Sequence, residues 1–257
     1  MRNSKFIIFL IIFLVIAICC DSQAQRKKSI PKESTIKRNS GFYFNFGQSW
    51  NKCYHPSLIG QRLQSQSLSY GFDYYFGKKR KQRISGLGSI YNNFKFNEFE
   101  NLASGWMAQM SYYSDIHTVY DNKNKQLTLG SSILLSTNSR EKPRDKSFYQ
   151  GVFAQTHFLN LDLSFDWKPN LIKNDELLIN FGFPVLGHLY STNYSGVATT
   201  EQIFGIWNTA SKFAHSRITY KLPLKKLKLG LQYVWQYQNI QNYNVYSIHN
   251  LGGIIGI

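Results

Sequence analysis

Two short constellations in this chain bring together side chains that could do chemistry. Asp115-Ile116-His117 sets a carboxylate and an imidazole two residues apart. On a β-strand that spacing puts both on one face, where the carboxylate would orient the ring. His215 and Ser216 pair a base with a nucleophile, but they are consecutive. Strand neighbours point to opposite faces, so neither can activate the other. The six histidines, at 55, 117, 157, 188, 215 and 249, are scattered without ligand spacing, so no metal and no cofactor is expected. Cys53, beside Tyr54 and His55, reads as an incidental loop thiol.

The elements that must carry these residues are strands. From 159 to 167 the sequence LNLDLSFDW puts Leu159, Leu161, Leu163, Phe165 and Trp167 on one face and Asn160, Asp162, Ser164 and Asp166 on the other. Residues 68–76 and 229–237 repeat the period of two. The pattern predicts ten strands, near 40–50, 66–77, 82–96, 104–120, 125–138, 148–168, 175–190, 203–222, 225–240 and 245–257, within a range of eight to twelve. Short polar or basic connections at 77–81, 121–124, 169–174 and 223–224 alternate with longer ones at 51–65, 97–103, 139–147 and 191–202. Apolar faces turn aromatic near their ends, as at Phe42, Phe44 and Phe46, at Trp106 and Tyr120, and at Tyr233, Trp235 and Tyr237. Aromatic girdles and short turns on one side are features of membrane barrels.

Ahead of the strands, Arg2 and Lys5 precede an apolar run over 6–18, and Ser22-Gln23-Ala24 supplies a small-x-small site. This is the pattern of a signal peptide cleaved near Ala24. The run is too short for a helical anchor, which needs roughly 20 apolar residues. Residues 25–39 follow as a basic lead-in, and 40–257 form the barrel domain.

The last eight residues, NLGGIIGI, place Asn250 at a polar position, Gly252 at a glycine position, and Ile255 and Ile257 at apolar positions. This resembles the terminal β-signal read by the barrel-assembly machinery. The whole chain is accordingly similar to the bacterial outer-membrane β-barrels. The resemblance implies an all-β fold, a single antiparallel transmembrane barrel, in the outer membrane of a Gram-negative bacterium. A terminal Ile257, where an aromatic is commonest, departs from the usual signal.

By alternation the lumen should receive Asp73, Asp115, His117, Asp162, Asp166, His188, His215, Arg217, Lys221 and Lys228, whose opposite charges would pair. Outer-membrane phospholipases and deacylases use a serine activated by histidine, and barrel proteases use paired aspartates with an Asp-x-His unit. Asp115 and His117 offer the nearest match, but the topology puts them near the periplasmic end, whereas those proteases act at the outer surface. The chain therefore reads as a structural or narrow-pore barrel with surface loops, more readily than as a lipid-active or proteolytic enzyme or a soluble secreted β-sandwich.

The charge is +16, and losing residues 1–24 leaves +15. With an export signal and no nucleic-acid motif, the expected partners are outer-membrane lipids and lipopolysaccharide phosphates rather than nucleic acid. Arg140, Lys142, Arg144 and Lys146 are placed to meet phosphates at the outer surface.

Overall fold

A computed structural model describes residues 41–54, 62–77, 81–96, 99–141, 151–172, 174–193, 199–205, 211–224, 227–240 and 244–256. The expected signal peptide, the lead-in, residues 142–150 and Ile257 lie outside the described residues, as do the side chains of Cys53 and Arg140.

The strands are β1 (Gly41–Tyr54), β2 (Arg62–Phe76), β3 (Gln82–Phe96), β4 (Phe99–Asn122), β5 (Lys125–Glu141), β6 (Gly151–Trp167), β7 (Glu176–Asn193), β8 (Thr199–Gly205), β9 (Ser211–Leu224), β10 (Leu227–Ile240) and β11 (Asn244–Gly256). Each pairs antiparallel with the next through β7. β7 then pairs with β9 over its first half and with β8 over its second, so β8 and β9 together make one stave. The ladder continues through β10 to β11, and β11 returns to β1 from Tyr43↔Gly256 to Tyr54↔Val245. Ten staves thus close into one barrel, which removes the exposed sheet edges that lipid cannot hydrate.

The sequence places the turns at the end where β1 begins and β11 finishes, here the terminal end. Gly77 has φ 99°, and Asn170 and Asn174 have φ 57° and 62°. These are left-handed conformations that glycine and asparagine tolerate. At the opposite, far end the expected loops are shorter than read: β1 runs on to Tyr54, β4 already starts at Phe99, and β7 extends to Asn193. Backbone pairing thus continues past the point where strict hydrophobic alternation stops.

Inward and outward rows follow the period of two. Leu159, Leu161 and Leu163 are 44, 38 and 42% exposed, whereas Asn160, Asp162 and Ser164 are buried. The leucines of this row therefore face outward, as the wall of a membrane barrel requires and a sandwich core does not. Gly47 and Gly252 face each other across the closing seam, and a Cβ on either would run into the opposite backbone. Gly252 of the signal-like terminus thus lets β11 seat against β1.

Candidate functional site

The lumen is packed in layers. Nearest the terminal end, Lys81 donates to both oxygens of Asp166 at 2.7 and 2.8 Å. Tyr113 donates its hydroxyl to Asp115 Oδ1 at 2.7 Å, and the Lys81 backbone N–H donates to Asp115 Oδ2 at 3.2 Å. Lys221 Nζ lies 3.7 Å from the Tyr75 ring centroid and 4.2 Å from that of Tyr43, a buried cation held by two π faces. Arg217 pairs with Asp73, whose second oxygen accepts from Gln232 at 2.6 Å. His215 Nε2 stands 3.2 Å from Asp162 Oδ1. Gly182 makes that contact sterically feasible, because the imidazole lies where a Cβ at 182 would be. Further toward the far end, Phe158 and Phe213 stack at 3.8 Å between centroids, in a cluster with Leu134, Ala154 and Leu189. A cavity of about 30 Å³ beside Arg83, Gln109, His215, Arg217 and Gln236 is too small for a solute.

Asp73, Asp162, Asp166, His215 and Arg217 lie on the inward rows, with Asp73 against Arg217, Asp162 beside His215 and Asp166 against Lys81. Two residues do not. A register shift between Asp115 and His117 leaves Asp115 inward opposite Gly130 but sets His117 opposite Leu129, on the outward row that continues to Leu163. The two share no face, and their expected pairing is lost to that β-bulge. His188 is displaced in the same way. Asn160 pairs with Pro184 and Leu159 with Leu186, leaving Val185 as the extra residue. Proline, which has no N–H to give the ladder, sits at such irregularities. Beyond the bulge His188 faces outward beside His157, Nδ1 to Nδ1 at 3.2 Å, with its Nε2 2.9 Å from Glu201 Oε1.

Asn250 faces inward, donating to Ser69, and Ile255 faces outward at 48% exposure. The sequence reading missed the outward His157–His188–Glu201 cluster and also Ser247-Ile248-His249. On β11 Ile248 is fully buried, so Ser247 and His249 share the outward face. Ser247 Oγ is 3.3 Å from His249 Nε2, and His249 Nδ1 is 2.7 Å from Tyr233 Oη on β10. The spacing of two inside a predicted strand was the available signal.

No protein-family model matches the sequence, and no curated protein matches it. Solved structures do match. The outer membrane protease OmpT from Escherichia coli is 9% identical at a TM-score of 0.51, over 87% of this chain and 98% of that one. The translocator domain of autotransporter NalP from Neisseria meningitidis is 10% identical at a TM-score of 0.38, over 94% of this chain and 96% of that one. Neisserial surface protein A is 11% identical at a TM-score of 0.35, over 86% of this chain and 99% of that one. The fold is that of an outer-membrane β-barrel. At 9% identity the likeness to OmpT extends to the fold alone, and the chemistry of this barrel has to be read from its own side chains.

Proposed function

We propose that the exported chain resides in the outer membrane of a Gram-negative bacterium as a closed barrel that conducts no solute and works through its outward wall and far end. The observation that carries this reading is the filled lumen, with a buried Asp73–Arg217 pair below and the Phe158–Phe213 stack above. Charged groups satisfied by one another inside a narrow barrel act as a polar plug. The terminal end faces the periplasm in this reading, as the short-turn end of such barrels does.

Signal-peptide cleavage near Ala24 and recognition by the barrel-assembly machinery through Asn250, Gly252, Ile255 and Ile257 belong to the same proposal. So does contact of the outward wall with outer-membrane lipids and lipopolysaccharide phosphates, for which the net charge of +15 left after residues 1–24 is the support. Membrane fractionation, heat-modifiable gel mobility and planar-bilayer recording test the reading together. A heat-shifting membrane protein with no conductance is expected. Recovery from the soluble periplasm without a heat shift would refute membrane residence, and steady solute-passing conductance would refute the plug.

A further inference from the structure

We propose that Ser247, His249 and Tyr233 form an acyl-ester hydrolase site on the outward wall, directed at fatty-acyl esters of membrane amphiphiles. The inference rests on the membrane placement proposed above and adds an activity to it. Ser247 lies within hydrogen-bond reach of His249 Nε2, and His249 Nδ1 lies within reach of the Tyr233 oxygen. With Nδ1–H donated to Tyr233, the Nε2 lone pair is left to accept the Ser247 proton. This is the nucleophile, base and orienting group that acyl transfer requires.

The surroundings specify the substrate class. Lys52 of β1 stands directly opposite Ser247 in the β1–β11 register, and Tyr237 of β10 stands opposite it on the other side. Trp50 and Trp235 flank His249 in the same way. Toward the terminal end, the outward row of β11 continues to Leu251 and Ile255, each 48% exposed. Tryptophan and lysine above, aliphatic side chains below, is the composition of a bilayer interface. The ester linkages of lipids, between headgroup and hydrocarbon, lie at that level.

In the first step Ser247 Oγ bonds to the ester carbonyl carbon while its proton passes to His249 Nε2. The Lys52 ammonium offsets the charge on the carbonyl oxygen. Collapse breaks the carbon–alkoxide bond, and the leaving alkoxide takes the proton from Nε2. Interfacial water then attacks the acyl-serine with His249 again as base, which releases a fatty acid and restores Ser247. Tyr233 touches no reacting atom in this sequence and acts as a positioning residue.

The test uses the folded protein in proteoliposomes, with heat-modifiable mobility as the measure of folding. One arm supplies phospholipid vesicles and the other acylated lipopolysaccharide, with a fluorophosphonate probe as a third reading. Expected are a mass tag on Ser247 and fatty-acid release in at least one arm, both falling at least about 100-fold in Ser247→Ala and His249→Gln. Tyr233→Phe is expected to lower kcat with KM unchanged. The site is overturned if heat-shifting wild-type protein takes no tag and releases no fatty acid from either lipid, or if Ser247→Ala keeps its activity. Soluble protein with no heat shift would instead overturn the membrane reading, and this proposal with it.

Discussion

The Asp73–Arg217 pair makes a quantitative demand. Asp73 is 1% exposed and Arg217 8%, so neither keeps appreciable solvent. Removing one partner of such a pair costs about 3–5 kcal/mol because it strands a buried charge. Here Arg217→Met is expected near the lower limit, about 3 kcal/mol, because Gln232 still donates to Asp73 and Arg83 still acts on the same carboxylate. Asp73→Asn is expected to cost at least as much, since it leaves Arg83 and Arg217 as like charges in the same section of lumen. The double variant Asp73→Asn/Arg217→Met removes one charge of each sign and should return to within about 1 kcal/mol of wild type. Urea titration in lipid bilayers, read by heat-modifiable mobility and tryptophan fluorescence, gives all four corners of the cycle. Two single variants each costing under about 1 kcal/mol, with a double variant equal to their sum, would refute a coupled luminal plug.

Three further outcomes follow from the same layers. Leu161→Arg, in the middle of the outward apolar row, should destabilise by about 2–4 kcal/mol in bilayers, and Gln155→Arg, on the same face six residues higher, by no more than about 1. Equal costs at the two positions would move the membrane band. Gly182→Ala should displace the His215 ring from Asp162 and cost about 1–3 kcal/mol by overpacking, with histidine NMR resonances as the local readout. Phe158→Ala should cost about 3–5 kcal/mol in the same urea assay yet leave planar-bilayer conductance at baseline, because the ion-paired layer still closes the section beneath it.

Alternation revealed the wall because burial acts residue by residue. Leu159, Leu161 and Leu163 face outward and Asp162 and Asp166 inward, as the sequence of β6 implies. What alternation cannot carry is register between strands. Lys81 meets Asp166 across 85 residues, and Arg217 meets Asp73 across 144. Those partnerships depend on how the ring closes, which no local pattern encodes. Single extra residues also invert every side chain beyond them. That is why His117 and His188, both read as luminal, stand outside. Pro184 marked the second irregularity in advance, whereas nothing in the types of Asp115, Ile116 and His117 marked the first.

The same inversion rule bears on where chemistry can sit. In the proposed plugged barrel, Tyr43, Tyr75, Tyr113, Phe158 and Phe213 occupy the lumen and Asp166, Asp162 and Asp73 stand beside Lys81, His215 and Arg217, which closes the inward rows to a substrate. Outward polar groups are the opposite case, since the surrounding membrane penalises them unless they lie near an interface. The outward His157–His188–Glu201 and Ser247–His249–Tyr233 clusters both stand on the far-end side of their strands' apolar rows, where that penalty lapses. Of the two, the β10–β11 cluster joins a hydroxyl to an imidazole held by a third group. Lys52, directly across from Ser247, adds the charge an oxyanion would need. For the proposed plugged barrel, the wall at the height where lipid esters meet water is the surface left for reactive groups.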